Sequence, residues 1–369
     1  MRAIGVIPGK RELTLLDHPD PGIGSDGEVL VKSLDVGVCG TDREICSFVY
    51  GTPPEGDDYL VLGHESLGEV VDVAESDGPL RPGDFVVASV RRPCVESDCR
   101  PCRQGLQDFC VNGNFTERGI KEAHGYMTEY YVEEAKYLFK VPTELRDVAV
   151  LTEPLTIAEK ALIQVAKVQN RLPWGEGADG SFSGKGLRAI VLGAGPIGIL
   201  GAMALKVRGF DTVVYSRSKA PNPKAELVES LGVPYVSALE MTPEQLVAEH
   251  GKIDFVYEAV GIPSISFEVL KALGDNGAFV FTGIPASGAP EPVYAADIMR
   301  NMVLKNQLVL GTVNADPQSF RNALADLGRF NKRWPESLRR IISERHAPDA
   351  YRSLLLDKAT GIKNVIQFH

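Results

Sequence analysis

Three runs in the first third of the chain are short, valine-rich and bounded by glycine, proline and aspartate: EVLVKSLDVGV (28–38), LGEVVDVAE (67–75) and GDFVVASV (83–90). Branched apolar residues in runs of this length predict strands, and strands with no helix between them predict an antiparallel, barrel-like domain. The texture changes after NRLPWGEGADGSFSGKG (170–186), a glycine-rich stretch without periodicity. A predicted strand RAIVLGAG then meets a predicted helix PIGILGAMALKVRG. Strand TVVYSR, helix KAELVESLG, strand DFVYEAVG, helix SISFEVLKALG and strand GAFVFTG follow in turn. Strands alternating with helices predict right-handed βαβ units and a doubly wound parallel sheet. From about Gly311 the pattern is mixed again, as expected of a tail that rejoins the first domain.

The chain has 369 residues, 44% of them apolar, enough for two cores. Its 39 basic and 49 acidic residues give no footprint for nucleic acid or an anionic membrane. An uncharged run of seventeen residues, 189–205, approaches the length of a membrane span, but glycines and a proline divide it into strand, turn and helix. The first residues reach charge and proline too early for the apolar core of a secretory signal, so the expected location is the cytoplasm. There the six cysteines are expected to stay reduced, which favours metal ligation over disulfides.

Two features carry chemistry. Gly193-Ala-Gly195-Pro196-Ile197-Gly198 follows the first predicted parallel strand and opens its helix, the context in which G-x-G-x-x-G means dinucleotide binding. Gly193 would permit the tight turn, Gly195 would let backbone approach the pyrophosphate, and Gly198 would allow close helix packing. An NAD site usually has an acidic residue about 20 positions on. Here stand Ser216, Arg217, Ser218 and Lys219, donors and cations suited to a 2′-phosphate, so NADP is expected ahead of NAD. The second feature is Cys94, Cys99, Cys102 and Cys110, four cysteines within seventeen residues. Four thiolates close the coordination of a tetrahedral zinc and make it structural. Four residues, V-E-S-D, separate the first two of these cysteines, and two separate the second from the third.

The order GVCGTD (37–42), GHE (63–65), the four-cysteine lobe, an E-P-L segment (153–155) and GAGPIG (193–198) resembles the zinc-dependent medium-chain dehydrogenase/reductase family over nearly the whole chain. Within it, LVLGHE, SVRRPC, NFTERGIKEAHGYMTEYY, LTEPLTIAEKAL and LGTVNAD resemble the glucose (aldose) dehydrogenase branch. The resemblance implies a GroES-like β-rich catalytic domain over 1–153, with the structural zinc lobe at about 93–111. It implies a doubly wound Rossmann nucleotide-binding domain over 154–311 and a segment 312–369 that completes the catalytic domain.

It also implies a catalytic zinc held by Cys39, His64 and one of two carboxylates, Glu65 or Glu153. Asp42 would hydrogen-bond and orient His64, and Thr41 would contact the substrate hydroxyl and begin proton release. Glu117, Glu153 and Asn314 would touch the sugar. The implied reaction passes hydride from sugar C1 to NADP and leaves an aldonolactone. Dimers or tetramers of identical chains are expected from the same resemblance. Two other readings stay open: a polyol or secondary-alcohol dehydrogenase on this scaffold, and an NADP(H)-binding protein without turnover. Cys46 fits no motif and reads as core, and His124 reads as structural or as part of the substrate rim.

Overall fold

The computed structural model describes residues 1–75, 78–172, 183–285, 288, 290–358 and 360–368. Most of the 170–186 stretch singled out in the sequence lies outside them. The chain forms two compact units, Met1–Thr156 with Asn314–His369, and Ile157–Val313.

The first unit is built around strand Glu28–Gly37, whose ten residues are long enough to take two partners in succession along one edge. Its first half pairs with Tyr130–Glu134, and its second half pairs with Lys363–Gln367, so that Val365 lies opposite Gly37. Glu65–Val73 runs antiparallel along the other edge, followed by Phe85–Ala88 and Leu138–Lys140. Seven strands make this sheet, and all its pairings are antiparallel except that of Ile342–His346 with Lys363–Gln367. The alternation in the first runs is therefore that of strands with one face inward. Val29, Val31, Val70 and Val86 point into a core that also takes Tyr126, Met127 and, from the far end of the chain, Tyr351, Leu354 and Ile366. Burial of apolar surface at about 25 cal/mol per Å² is what fastens that distant tail to the domain. Cys46 is 4% exposed in the same cluster.

The second unit holds a six-stranded parallel sheet. Across it lie Tyr235–Ser237, Asp211–Ser216, Arg188–Leu192, Ile253–Glu258, Leu273–Phe281 and Leu308–Gly311. Sequence order thus reverses between Arg188–Leu192 and Ile253–Glu258, the switch point at which doubly wound sheets bind ligands. Two of these strands, Tyr235–Ser237 and Leu308–Gly311, are too short to announce themselves in the pattern. Leu273–Phe281 starts earlier than the predicted GAFVFTG because its register shifts opposite Ile253 and Phe255. Among the described residues no helix is long and apolar enough to cross a membrane.

Candidate active site and metal centres

Cys39 caps the short helix Gly40–Cys46, which begins where the strand Glu28–Gly37 ends. Asp42 reaches back from the first turn, and its Oδ2 accepts the Cys39 backbone N–H at 2.8 Å. That bond fixes the turn so that the cysteine side chain faces inward. His64 follows Gly63, whose φ of +90° favours glycine on conformational grounds. Added bulk there would strike Met127 and Val36. The next residue, Glu65, opens the strand that pairs with Glu28–Gly37 and lies directly opposite Gly37. A Cβ on Gly37 would overlap Glu65 Oε2, so the glycine in GVCGTD leaves room for a carboxylate.

Neighbouring strands thus bring one atom each of Cys39, His64 and Glu65 to within 4.8 Å of one another. A thiolate sulfur, an imidazole nitrogen and a carboxylate oxygen are donors that zinc takes, and three protein ligands with an open position mark a catalytic site. The donor set fits the metal. His64 Nδ1 approaches Asp42 Oδ1 to 3.4 Å, and both atoms are buried without a hydrogen bond. The hydrogen bond expected of Asp42 is therefore realised as an ion-pair contact, because its other oxygen holds the Cys39 N–H. Burial lowers the His64 pKa, but the Asp42 charge outweighs it and holds the imidazole well above its usual value. Thr41 is partly exposed, and its Oγ1 lies 4.0 Å from Cys39 Sγ.

Glu153, in the first turn of helix Thr152–Gln169, stands outside the three-donor cluster. Loss of hydration pushes its carboxyl up to about 7, helped by the nearby charge of Glu65 and opposed by that of His64 and Lys363. Lys363 is the residue sequence reasoning missed. Its Nζ lies 2.7 Å from both oxygens of Glu65 and donates to the Val38 carbonyl at 3.2 Å. Both side chains are almost fully buried. A lysine in the run KNVIQ carries no local signal, and only the pairing of the last strand with Glu28–Gly37 places it here.

Glu117 and Asn314 are brought together: Asn314 Nδ2 donates to Glu117 Oε1 at 2.7 Å. Arg91, unassigned in the sequence, pairs with the same carboxylate at 2.9 Å. Asn314 adopts φ +59°, which asparagine tolerates better than most residues. His124 accepts the Val61 N–H through Nδ1 at 3.2 Å and stacks on Tyr59, a structural role.

The lobe is unambiguous in geometry. Sulfurs of Cys94, Cys99, Cys102 and Cys110 all lie within 4.8 Å of one another, and none is in a disulfide. The longer first spacing is absorbed by a turn in which Cys99 N–H bonds to the Glu96 carbonyl at 3.2 Å, and this returns Cys94 to the cluster. The Cys102 N–H pulls the Cys99 thiol down to about 6, toward the thiolate a metal requires.

In the second unit the glycine loop has the shape its motif predicts. Gly193 has φ +104°, and a Cβ there would strike Val260. A Cβ on Gly198 would overlap the Gly193 carbonyl, so only glycine lets the helix come this close to the strand. A Cβ on Gly195 would meet nothing, which leaves open space beside its backbone. Pro196 and Ile197 begin the helix Pro196–Val207, whose N-terminus offers N–H groups and positive dipole to a phosphate. Ser216 ends the second parallel strand, and Arg217, Ser218 and Lys219 follow it exposed. Lys219 is drawn to Glu240 at 3.3 Å, whereas the Arg217 guanidinium has no partner among the described residues.

Comparison with known proteins agrees with this arrangement. Residues 146–368 match the family model described as glucose dehydrogenase C-terminus, and residues 25–143 match that of the alcohol dehydrogenase GroES-like domain. Glucose 1-dehydrogenase of Thermoproteus tenax is 39% identical, with 100% of this chain and 99% of that protein covered. That of Methanocella arvoryzae is 38% identical over 94% and 93%. Glucose dehydrogenase of Haloferax mediterranei, solved in complex with NADP, Zn and gluconolactone, superposes with a TM-score of 0.88 at 34% identity, covering 100% of this chain and 99% of that one. An alcohol dehydrogenase of Thermotoga maritima, 22% identical, shares the fold at a TM-score of 0.80. With a donor cluster, a four-thiol lobe and a dinucleotide loop in this order, the chain belongs to the glucose dehydrogenase branch of the zinc-dependent medium-chain dehydrogenases, a family of NAD(P)-dependent oxidoreductases.

Proposed function

We propose that this protein is an aldose 1-dehydrogenase that oxidises glucose at C1 to the lactone and reduces NADP, with NAD as a poorer acceptor. The observation that carries the reading is the three-donor cluster of Cys39, His64 and Glu65 in a chain related over its whole length to glucose 1-dehydrogenases. A zinc ion bound there would act as a Lewis acid that makes a sugar hydroxyl acidic near neutral pH.

The chain's own residues supply the rest. Asp42 orients His64 through the 3.4 Å contact, so the imidazole presents its other nitrogen to the ion. Glu153, with a carboxyl near neutrality, is the second carboxylate available to ion or sugar. Thr41, partly exposed beside Cys39, receives the proton of the C1 hydroxyl and passes it toward solvent. Glu117 and Asn314, already tied to each other and to Arg91, offer fixed polar groups to the remaining hydroxyls. A site built to hydrogen-bond hydroxyls rejects analogues that lack them. Cys94, Cys99, Cys102 and Cys110 hold a second zinc, which is structural.

For the cofactor, the Gly193–Gly198 loop takes the pyrophosphate and the Arg217 guanidinium takes the 2′-phosphate. The protein is proposed to work as a homo-oligomer in the cytoplasm. The assembly is supported by the edge strand Leu308–Gly311 and by helix Ala295–Leu304, which buries no residue yet exposes Met299, Val303 and Leu304. A panel of glucose, galactose, xylose, sorbitol and ethanol tests the substrate: NADP reduction with the aldoses supports the reading. Activity on sorbitol with none on any aldose would instead make the protein a polyol dehydrogenase.

A further inference from the structure

The last strand of the first unit, Lys363–Gln367, opens with an ammonium and is otherwise uncharged, KNVIQ. A lysine ammonium has three donors, and all three are matched here: Glu65 Oε1 and Oε2 at 2.7 Å each, and the Val38 carbonyl at 3.2 Å. Register pins the chain behind it. The Asn364 carbonyl accepts the Val38 N–H at 3.0 Å, and Val365 lies opposite Gly37. Lys363 therefore cannot swing aside as a surface lysine would. It is a fixed buried cation on the carboxylate that also stands within 4.8 Å of the Cys39 and His64 donors.

A divalent ion at those donors would share Glu65 with this ammonium. Two consequences follow from charge alone. The ammonium cancels the pull of the Glu65 carboxylate on the ion, and at such range in a protein interior that weakens binding by at least about tenfold. The ammonium also occupies both oxygens of Glu65, so the carboxylate is held back from full ligation. We propose that Lys363 is a positioning residue for the metal centre: by neutralising Glu65 and drawing its carboxylate off the ion, it keeps a coordination position open and holds metal affinity below what the donor set alone would give. The inference rests on the reading of Cys39, His64 and Glu65 as the catalytic metal site.

Cobalt replacing zinc reports affinity and coordination number together through its visible absorption. The one-thiolate Cys39 site is separated from the four-thiolate lobe by its weaker sulfur-to-metal band. In K363M, chelator competition is expected to show the Cys39 site binding cobalt at least about tenfold more tightly, with weaker d–d absorption as Glu65 joins the ion. K363R, which keeps the charge, should stay at wild-type values. Both changes should vanish in the double variant E65Q/K363M, since Lys363 acts through Glu65. K363Q removes the charge but leaves a donor for Glu65, and it carries the same expectation should K363M fail to fold. Unchanged or weaker cobalt binding in the charge-removing variants, or a change that persists without Glu65, would overturn the proposal. A wild-type protein that binds cobalt only in the lobe would overturn the metal-site reading itself, and this inference with it.

Discussion

The four-cysteine lobe and the Cys39 site are both clusters of metal donors drawn to within 4.8 Å, yet they are built in opposite ways. The lobe takes four identical soft ligands from one short stretch, and a tetrahedral metal there has no position left for a substrate. The Cys39 site draws three different donors from the ends of neighbouring strands and surrounds them with further charged groups: Asp42 behind His64, Lys363 on Glu65, and Glu153 nearby. One cluster can hold a metal so that the fold persists. The other can hold one so that something else may bind it, and that takes supporting charges from the whole length of the domain.

The comparison breaks most visibly on rate. His64→Ala should cut glucose-dependent NADP reduction by about a thousandfold or more, because the ion's contribution to the barrier is several kcal/mol. Zinc content should fall by one ion per chain, with the lobe still loaded. Cys102→Ala should do the converse, removing the lobe metal and destabilising the protein by on the order of several kcal/mol in thermal unfolding. At temperatures where this variant stays folded, its KM values should match wild type. A lobe variant that loses turnover while fully folded would erase the distinction between the two centres.

Smaller effects sharpen it. Asp42→Asn should lower metal affinity or activity by about 10- to 100-fold, as expected when a group that orients a ligating histidine is lost. Arg217→Ala should raise the KM for NADP about tenfold while leaving that for NAD nearly unchanged, the loss of one charge-assisted hydrogen bond. Equal effects on both nucleotides would make Arg217 an ordinary surface charge.

The smallest effect concerns pH and lies away from both donor clusters. Glu133 is buried with Arg118 at 2.9 Å and with Arg92. Burial alone would raise its pKa, but the two guanidinium charges hold it below the usual carboxylate value. The stability it contributes is therefore complete above about pH 4.3, the unfolded value, and is lost as pH falls through the lower native one. Glu133→Gln should lower stability above that range, where the ion pairs are intact, and flatten the acid limb in denaturant titrations, so that the two proteins converge at the lowest pH.

How much of this was legible in the sequence follows the same contrast. The lobe could be read because its ligands are local; even Cys94, with its odd spacing, needed only one turn to join them. The glycine loop could be read for the same reason, and the conformations of Gly193 and Gly198 are what the motif demands. Cys39, His64 and Glu65 became readable only through family resemblance, since strand pairing and not spacing brings them together. Lys363 escaped altogether, because a single lysine in a strand says nothing until the partner strand is known. Arg91 escaped in the same way, although it stands in a quoted motif, because its role is a pairing with Glu117 across strands. Division of the chain at Thr156 and Asn314 falls inside or beside regular elements, where composition has no reason to change.

The most direct test of the scattered site as the seat of chemistry is turnover of glucose deuterated at C1. The account predicts that deuterium leaves the sugar and appears on the reduced nicotinamide of NADP, with lactone as the product. Deuterium retained at C1 while NADP is reduced would contradict it.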